Sequence, residues 1–242
     1  MNYINQSFND KWENILPKIP SRSIDLVYTD PPYGIDYVTN IPGDKHWNKD
    51  GKTSSKFDKI LNDADINEVN WGLLSRELFR VLKKNTFCFM HLHPTTIMSC
   101  GICFANAGFK YKGMIAWNKN FAIGGDLYGT MKRDWEPILY LAKGKPKLKP
   151  VEVLRGDEYV LRTRISEIQD WIFSLPTSEK TGFPTQKPSK LCEQVIELST
   201  SKNDLVCDPF AGSFVIPRVA KALDRQYLAI EADSSVFDKF NL

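Results

Sequence analysis

The chain has 242 residues, 42% hydrophobic and 25% charged, a composition that supports a globular core and excludes a disordered or collagen-like chain. It contains no run of about 18 apolar residues, which excludes a membrane-spanning helix. Met1–Gln6 lacks the basic-then-apolar pattern of a signal peptide, so a cytoplasmic protein is expected. The 32 basic and 29 acidic side chains leave a net charge of only +3, which permits a nucleic-acid partner without arguing for one.

Short apolar runs alternate with helix-like segments along the chain, the pattern of an α/β domain with a mostly parallel sheet. Ile24–Tyr28 reads as a strand that stops at Asp30-Pro31-Pro32. The apolar spacing of Leu74, Leu78, Phe79 and Leu82 predicts a helix over Trp71–Leu82, and Thr86–Leu92 reads as a continuous apolar strand. Thr95–Ala107 is then a crossover helix, with further strands at Tyr111–Trp117 and Pro137–Ala142. Towards the C-terminus, Leu191, Val195, Ile196 and Leu198 mark a helix face, and Asp204–Cys207 reads as a buried strand. A turn over Asp208–Ser213 opens a helix reaching Leu223. Gln226–Ile230 forms a strand ending at Glu231, and Ser234 is placed as the cap of a last helix.

Two stretches break this rhythm. Gly34–Asn70 reads as a long polar loop, and loops of that length inside a domain carry function or move. Lys143–Thr181 opens with Lys143, Lys145, Lys147 and Lys149 at alternate positions, which suits either a solvated linker or a phosphate-contacting segment. The five cysteines (Cys88, Cys100, Cys103, Cys192 and Cys207) read as small buried hydrophobes in a reducing compartment. His91, His93, Cys100 and Cys103 are metal-ligand types at a spacing that fits no zinc module, so a packed helix face is expected there and no metal.

The chemistry concentrates at two strand ends. Asp30-Pro31-Pro32-Tyr33 combines a carboxylate, two prolines of fixed φ and an aromatic ring at the carboxyl edge of the sheet, where open α/β sheets bind ligands. Its carboxylate and the Pro31 carbonyl can both accept hydrogen bonds from one exocyclic amino group. Asp208-Pro209-Phe210-Ala211-Gly212-Ser213 makes a strand-to-helix turn, with Glu231 ending the next strand. That layout suits a nucleoside cofactor, the acid binding ribose hydroxyls. A single glycine is present, so this is no dinucleotide fingerprint. Pro184-Thr185-Gln186-Lys187-Pro188 precedes the helix leading into that strand, and its value lies in that position.

In this order, over essentially the whole chain, the motifs resemble the S-adenosylmethionine-dependent DNA amino-methyltransferases of the permuted beta class. Ala116–Lys119 and Arg133–Glu136 also resemble family segments. The resemblance implies a Rossmann-like methyltransferase fold with helices on both sheet faces. It implies a single domain over 1–242, with a catalytic half (1–117), a cofactor half (182–242) and an inserted target-recognition segment (about 118–181). Asp30 and the Pro31 carbonyl, braced by Pro32, would hold the target amino group, and Tyr33 would stack on a flipped-out base. Asp208, Phe210, Gly212 and Ser213 would line the S-adenosylmethionine site, with Glu231 on the ribose and Thr185 and Lys187 near the methionine carboxylate. Lys132, Arg133, Arg155, Arg162 and Arg164 are DNA-contact candidates by residue type.

Asp at the head of the Pro-Pro-Tyr motif favours adenine N6 over cytosine N4 as the target. Double-stranded DNA is the implied substrate, with a homodimer and a cognate restriction endonuclease as further partners. The sequence departs from the family at three places: Phe214 replaces the second glycine of the turn, Phe183 replaces a histidine, and Gln6-Ser7 stand where Gly-Asp follows a short strand. These departures keep open a catalytically silent nucleic-acid-binding subunit, and methylation of RNA or a small heterocycle is a third reading.

Overall fold

The computed structural model describes residues 2–33, 69–123, 133–149, 151–155, 158–162, 172–174, 183 and 185–242, with the strand residues 120–123, 133, 151–155, 158–162 and 172–174 described as backbone. In chain order these form β1 (Gln6–Asn9), α1 (Trp12–Ile15) running into a 3-10 turn at Leu16–Lys18, β2 (Ile24–Thr29), α2 (Trp71–Val81), β3 (Leu82–His91), α3 (Ile97–Ala107), β4 (Lys110–Ile123) and β5 (Arg133–Lys143). There follow β6 (Val151–Arg155), β7 (Glu158–Arg162), β8 (Ile172–Ser174), α4 (Ser189–Ser199), β9 (Leu205–Asp208), α5 (Val215–Ala222), β10 (Gln226–Glu231) and α6 (Ser234–Phe240). Residues 34–68 of the expected polar loop lie outside the described ones. Among the described residues, no helix is long and apolar enough to cross a membrane.

One sheet carries eight strands in the order β1-β10-β9-β2-β3-β5-β4-β8, and β6 and β7 pair separately as an antiparallel ladder. Every neighbour pair of the large sheet is parallel except the two made by β5. β5 therefore lies between β3 and β4 as a reversed strand. The crossover helix α3 carries the chain one position beyond β3, and β5 fills the gap on its return.

The strand pleat sorts side chains into two cores. Val27, Cys88 and Met90 face α1, α2 and α3, packing with Leu16, Leu74, Leu78, Cys100 and Phe104. Leu26, Tyr28, Phe87 and Phe89 face the other side and meet Leu191, Val195 and Ile196 of α4 and Ile216 and Ala220 of α5. The sheet is thus covered on both faces, as the apolar runs of β2, β3 and β9 require. Helix α2 buries Trp71, Leu74, Leu78 and Val81 along one stripe and is capped by Asn70, which accepts from Leu73 N at 2.9 Å.

Several local expectations change. Ser234 is the first residue of α6; the cap is Asp233, whose carboxylate accepts from Ser235 N and Val236 N. The N-terminal strand is Gln6–Asn9, in register with Leu228–Glu231. Ser7 therefore sits inside β1, and the acid that follows the strand is Asp10, whose N–H donates to the Glu231 carbonyl. The acid expected after a short N-terminal strand therefore stands at Asp10, not at Gln6-Ser7.

The basic run is structural at its start. Lys143 Nζ donates to the Phe79 and Leu82 carbonyls at the end of α2, and Lys149 holds Ser201 Oγ. Cys100 is buried against Met90 Sδ, and His93 holds Thr95.

Candidate active site

After β1 at one edge of the sheet, the chain crosses to β2 and works outwards through β3, β4 and β5; its C-terminal part then adds β9 and β10 between β2 and β1. β2 and β9 are thus neighbours from opposite ends of the sequence, and the crevice beyond their carboxyl ends is the switch point where α/β sheets take ligands. Thr29 Oγ1 bridges the two ends, donating to Asp208 Oδ1 at 2.7 Å. Asp30-Pro31-Pro32-Tyr33 leaves β2 on one side of this bridge, and the Asp208–Ser213 turn leaves β9 on the other.

On the β2 side the catalytic motif closes on itself. Tyr33 turns its hydroxyl back to Asp30 Oδ1 at 2.7 Å and to Glu136 Oε1 at 3.0 Å, and its ring lies tilted 6.2 Å from His93. Burial and the two nearby carboxylates push its ionisation well above the ordinary phenol value, so the hydroxyl is a donor. Lys187 Nζ sits between Asp30 Oδ2 at 2.8 Å and Glu136 Oε1 at 2.9 Å. The sequence expectation is a place near the cofactor's carboxylate; in the structure the Lys187 ammonium is held by Asp30 and Glu136. Burial opposes that charge, but Asp30 and Glu136 outweigh it and raise the lysine above its ordinary value.

Glu136 is the residue the sequence reading left without a role, although its segment was noted. It stands on β5, opposite Trp117 of β4, and is 7% exposed. Its Oε2 pairs with Lys119 at 2.8 Å and its Oε1 contacts His91 Nδ1 at 3.0 Å. Burial alone would raise its carboxyl. Lys187, the His91 hydrogen bond and Lys119 overcome that and hold it well below the ordinary range. Behind it, Tyr28 OH meets His91 Nε2 at 3.0 Å; with Tyr28 donating there, Nδ1 carries the proton that Glu136 accepts. The ring of Trp117 lies edge-on to His91 and within 5.9 Å of Lys187. Asp30, His91 and Glu136 offer three potential metal ligands within 4.8 Å of one another, and the Lys187 ammonium already supplies positive charge to the two acids.

On the β9 side, Gly212 adopts φ +47°, a left-handed conformation that favours glycine. Its N–H donates to Glu231 Oε2 at 2.8 Å, and Asp233 N donates to Oε1 at 2.8 Å. The Ala232 N–H also reaches this carboxylate, which leaves room for about one further donor. Asp10 ends the next strand beyond Glu231. Asp208 is buried and accepts from Thr29 and from Phe210 N at 3.2 Å. Burial raises its carboxyl to about 7 against the pull of those hydrogen bonds. Phe210 is half-buried with its ring 6.5 Å from Trp12. Ser213 is buried, and its carbonyl accepts from Arg218. Thr185 is half-buried in the turn before α4.

Of the two phenylalanine departures, one is turned into the core and the other lies against the glycine turn. Phe214 takes φ +58° as the residue before α5 and turns its ring into the core, edge-on to Phe237 at 5.8 Å. Phe183 packs edge-on to Phe240 and covers the α-carbon of Gly212, where an added Cβ would lie 3.2 Å from its ring. Of the DNA-contact candidates, Arg133, Arg155 and Arg162 lie on the backbones of β5, β6 and β7, while Lys132 and Arg164 lie outside the described residues.

The chain matches the DNA methylase family over residues 24–241. It is 30% identical over 235 residues to the type II methyltransferase M2.LlaDCHI of Lactococcus lactis subsp. cremoris, covering 90% of this chain and 81% of that protein. It is 29% identical over 232 residues to M2.DpnII of Streptococcus pneumoniae, with the same coverage. Among solved structures, PvuII DNA methyltransferase (cytosine-N4-specific) superposes with a TM-score of 0.71 at 18% identity, over 98% of this chain and 86% of that one. The M1.HpyAVI–SAM complex superposes at 0.63 and 21% identity, over 97% and 96%. A carboxylate–Pro-Pro-Tyr strand end and a glycine turn facing each other across the switch point, together with this match over nearly the whole chain, place the protein in the DNA methylase family.

Proposed function

We propose that the protein transfers a methyl group from S-adenosylmethionine to the N6 amino group of an adenine flipped out of double-stranded DNA. The observation carrying this reading is the adjacency of Asp30, at the end of β2, to the Asp208–Gly212 turn, at the end of β9, tied by the Thr29–Asp208 hydrogen bond.

The residues of the turn fit such a cofactor. Glu231 has acceptor capacity left for a ribose hydroxyl, and Gly212 leaves the turn without a side chain. Asp208 lies where a cationic methionine end would relieve its burial. When bound, S-adenosylmethionine supplies an electrophilic methyl on a sulfonium. The protein's part is to make the amino nitrogen nucleophilic. That lone pair is delocalised into the purine ring, and two acceptors aimed at the amino hydrogens favour a more tetrahedral nitrogen. Asp30 and the Pro31 carbonyl are those acceptors, and the rigidity of Pro31 and Pro32 fixes their spacing. Catalysis is then positioning and electrostatics, with no covalent enzyme intermediate. Tyr33, with its ring on the same strand end, stacks on the base; such contacts are worth about 1–3 kcal/mol, against a few for unstacking.

The division into a catalytic half (1–117), a cofactor half (182–242) and a recognition segment of about 118–181 belongs to this proposal. Within that segment, Arg133–Lys143 is committed to the main sheet as β5, so DNA reading falls to the stretches on either side of it. Pairing as a homodimer, partnership with a cognate restriction endonuclease and a cytoplasmic location follow from the same reading.

The test is methyl transfer from S-adenosylmethionine to mixed-sequence duplex DNA, followed by nucleoside digestion and mass spectrometry. N6-methyladenine is the expected product. N4-methylcytosine would keep the mechanism and replace the target, and a folded protein that binds no cofactor and modifies no base would establish a silent subunit.

A further inference from the structure

The arrangement around Asp30 poses a problem that the reaction must solve. An acceptor for the target amino group has to direct a lone pair at it, and each Asp30 oxygen already accepts one strong hydrogen bond that draws on its acceptor strength. Tyr33 donates to Oδ1 and Lys187 to Oδ2. Emptying either oxygen into a buried site would strand a phenol or an ammonium without a partner, which is costly. Both groups, however, are already within reach of a second acceptor. Glu136 Oε1 lies 3.0 Å from the Tyr33 hydroxyl and 2.9 Å from Lys187 Nζ. The single Tyr33 proton can pass from one carboxylate to the other by rotation of the hydroxyl, and Lys187 already contacts both acids.

We propose that Glu136 is the positioning residue of this site, a reserve acceptor that takes Tyr33 and Lys187 off Asp30 when the target amino group arrives. His91, backed by Tyr28, and Lys119 hold Glu136 at that post. This rests on the methyl-transfer reading above and adds a residue to it. Glu136 touches neither base nor methyl; it acts through Asp30. Its position on the reversed strand β5 accounts for its reach: β5 alone among the sheet's described strands runs towards the amino edge, so its early residues face the carboxyl ends of β2 and β3.

The test compares the full-length wild type with Glu136→Gln, using mixed-sequence duplex DNA and S-adenosylmethionine in single-turnover assays, with cofactor affinity measured separately by calorimetry. Glutamine keeps the volume and an acceptor but loses the charge, so Lys187 settles on Asp30. The expected result is a methyl-transfer rate lowered by about tenfold to a hundredfold, with cofactor affinity within about twofold of wild type. Lys187→Gln added to the Glu136→Gln variant should restore part of that rate, because it removes the ammonium stranded on Asp30.

A structural role would lower rate and cofactor affinity together, with no recovery in the double variant, and that outcome overturns the proposal, as does a wild-type rate for Glu136→Gln. If the single variant fails to fold, Glu136→Gln with Lys119→Gln removes the pair as a unit and leaves Lys187 on Asp30. It should show the same loss of rate, and a wild-type rate there would equally overturn the proposal. A wild type that modifies no base would fail the methyl-transfer reading itself, before any variant is compared.

Discussion

Asp30 and Asp208 are near neighbours with opposite prospects under substitution. Removing Asp30 leaves Lys187 its second partner, since Glu136 Oε1 stands 2.9 Å away; the buried ammonium is not orphaned. Asp30→Ala is therefore expected to keep the fold and cofactor affinity while lowering methyl transfer by about a hundredfold to a thousandfold or more, the scale of losing one aimed group in an active site. Circular dichroism alongside the nucleoside assay checks both halves, and an unfolded variant would contradict the assignment. Asp208 titrates at about 7 because burial outweighs its hydrogen bonds. A carboxyl raised above its unfolded value of about 3.9 binds more protons folded than unfolded, so the stability linked to it falls as pH rises from about 4 to about 7 and then levels. Asp208→Asn removes that slope. Relative to wild type, the variant should be more stable at pH 8 than at pH 5, as thermal melts at the two values will show. The wild type should also release a proton on binding the cationic cofactor near pH 6.5. Calorimetry in buffers of different ionisation enthalpy reads that proton, and Asp208→Asn should abolish it.

At the level of elements, the helix α5 begins on a conflict. Phe214 holds φ +58°, where a residue with a Cβ pays about 1–2 kcal/mol, and glycine there would remove that strain. The same residue is fully buried against Phe237, and truncating a core phenylalanine costs about 3–5 kcal/mol. Packing wins, so Phe214→Gly is expected to destabilise the protein by roughly 1–4 kcal/mol, measured as a lower midpoint in urea with unchanged m. A stabilised variant would mean that the ring contributes little. The left-handed backbone at Phe214 turns its side chain inwards, a direction that position along the chain does not encode. The legible elements were those whose pattern is local: the apolar runs of β2, β3, β9 and β10 and the 3-4 spacing of α2 and α4. Strand β5 was legible as a strand but not as a reversed one, because its place between β3 and β4 is decided by pairing across the sheet. For the same reason Glu136 was seen only as part of a familiar segment. Its meeting with His91, Lys119 and Lys187 joins β3, β4, β5 and the approach to α4, and no spacing along the chain encodes that. The short polar β1 carried no signal that would separate it from a loop, and so Asp10 went unnoticed.

Across the whole molecule, a net charge of +3 supplies little long-range attraction for DNA, so phosphate contacts must come from where the basic residues are placed. The register of β3 with β5 decides one case. Ile138 stands opposite His91 at the catalytic edge, and Lys143 stands opposite Thr86, roughly 16 Å away at about 3.3 Å per residue. The run from Lys143 to Lys149 thus leaves the sheet at the edge remote from Asp30, with Lys143 spent on the end of α2. The exposed Lys145 and Lys147 face away from any duplex whose flipped base enters the crevice. Substituting both with glutamine should leave DNA affinity and its salt dependence unchanged. Arg155 and Arg162, on the separate β6–β7 ladder, lie in the proposed recognition segment instead. Each that contacts a phosphate should, when replaced by glutamine, reduce the slope of log affinity against log salt by about 1. Equal loss of slope from the lysine pair would place DNA on the opposite edge and detach binding from the catalytic crevice. A slope near zero in the wild type would remove phosphate contact as the anchor altogether.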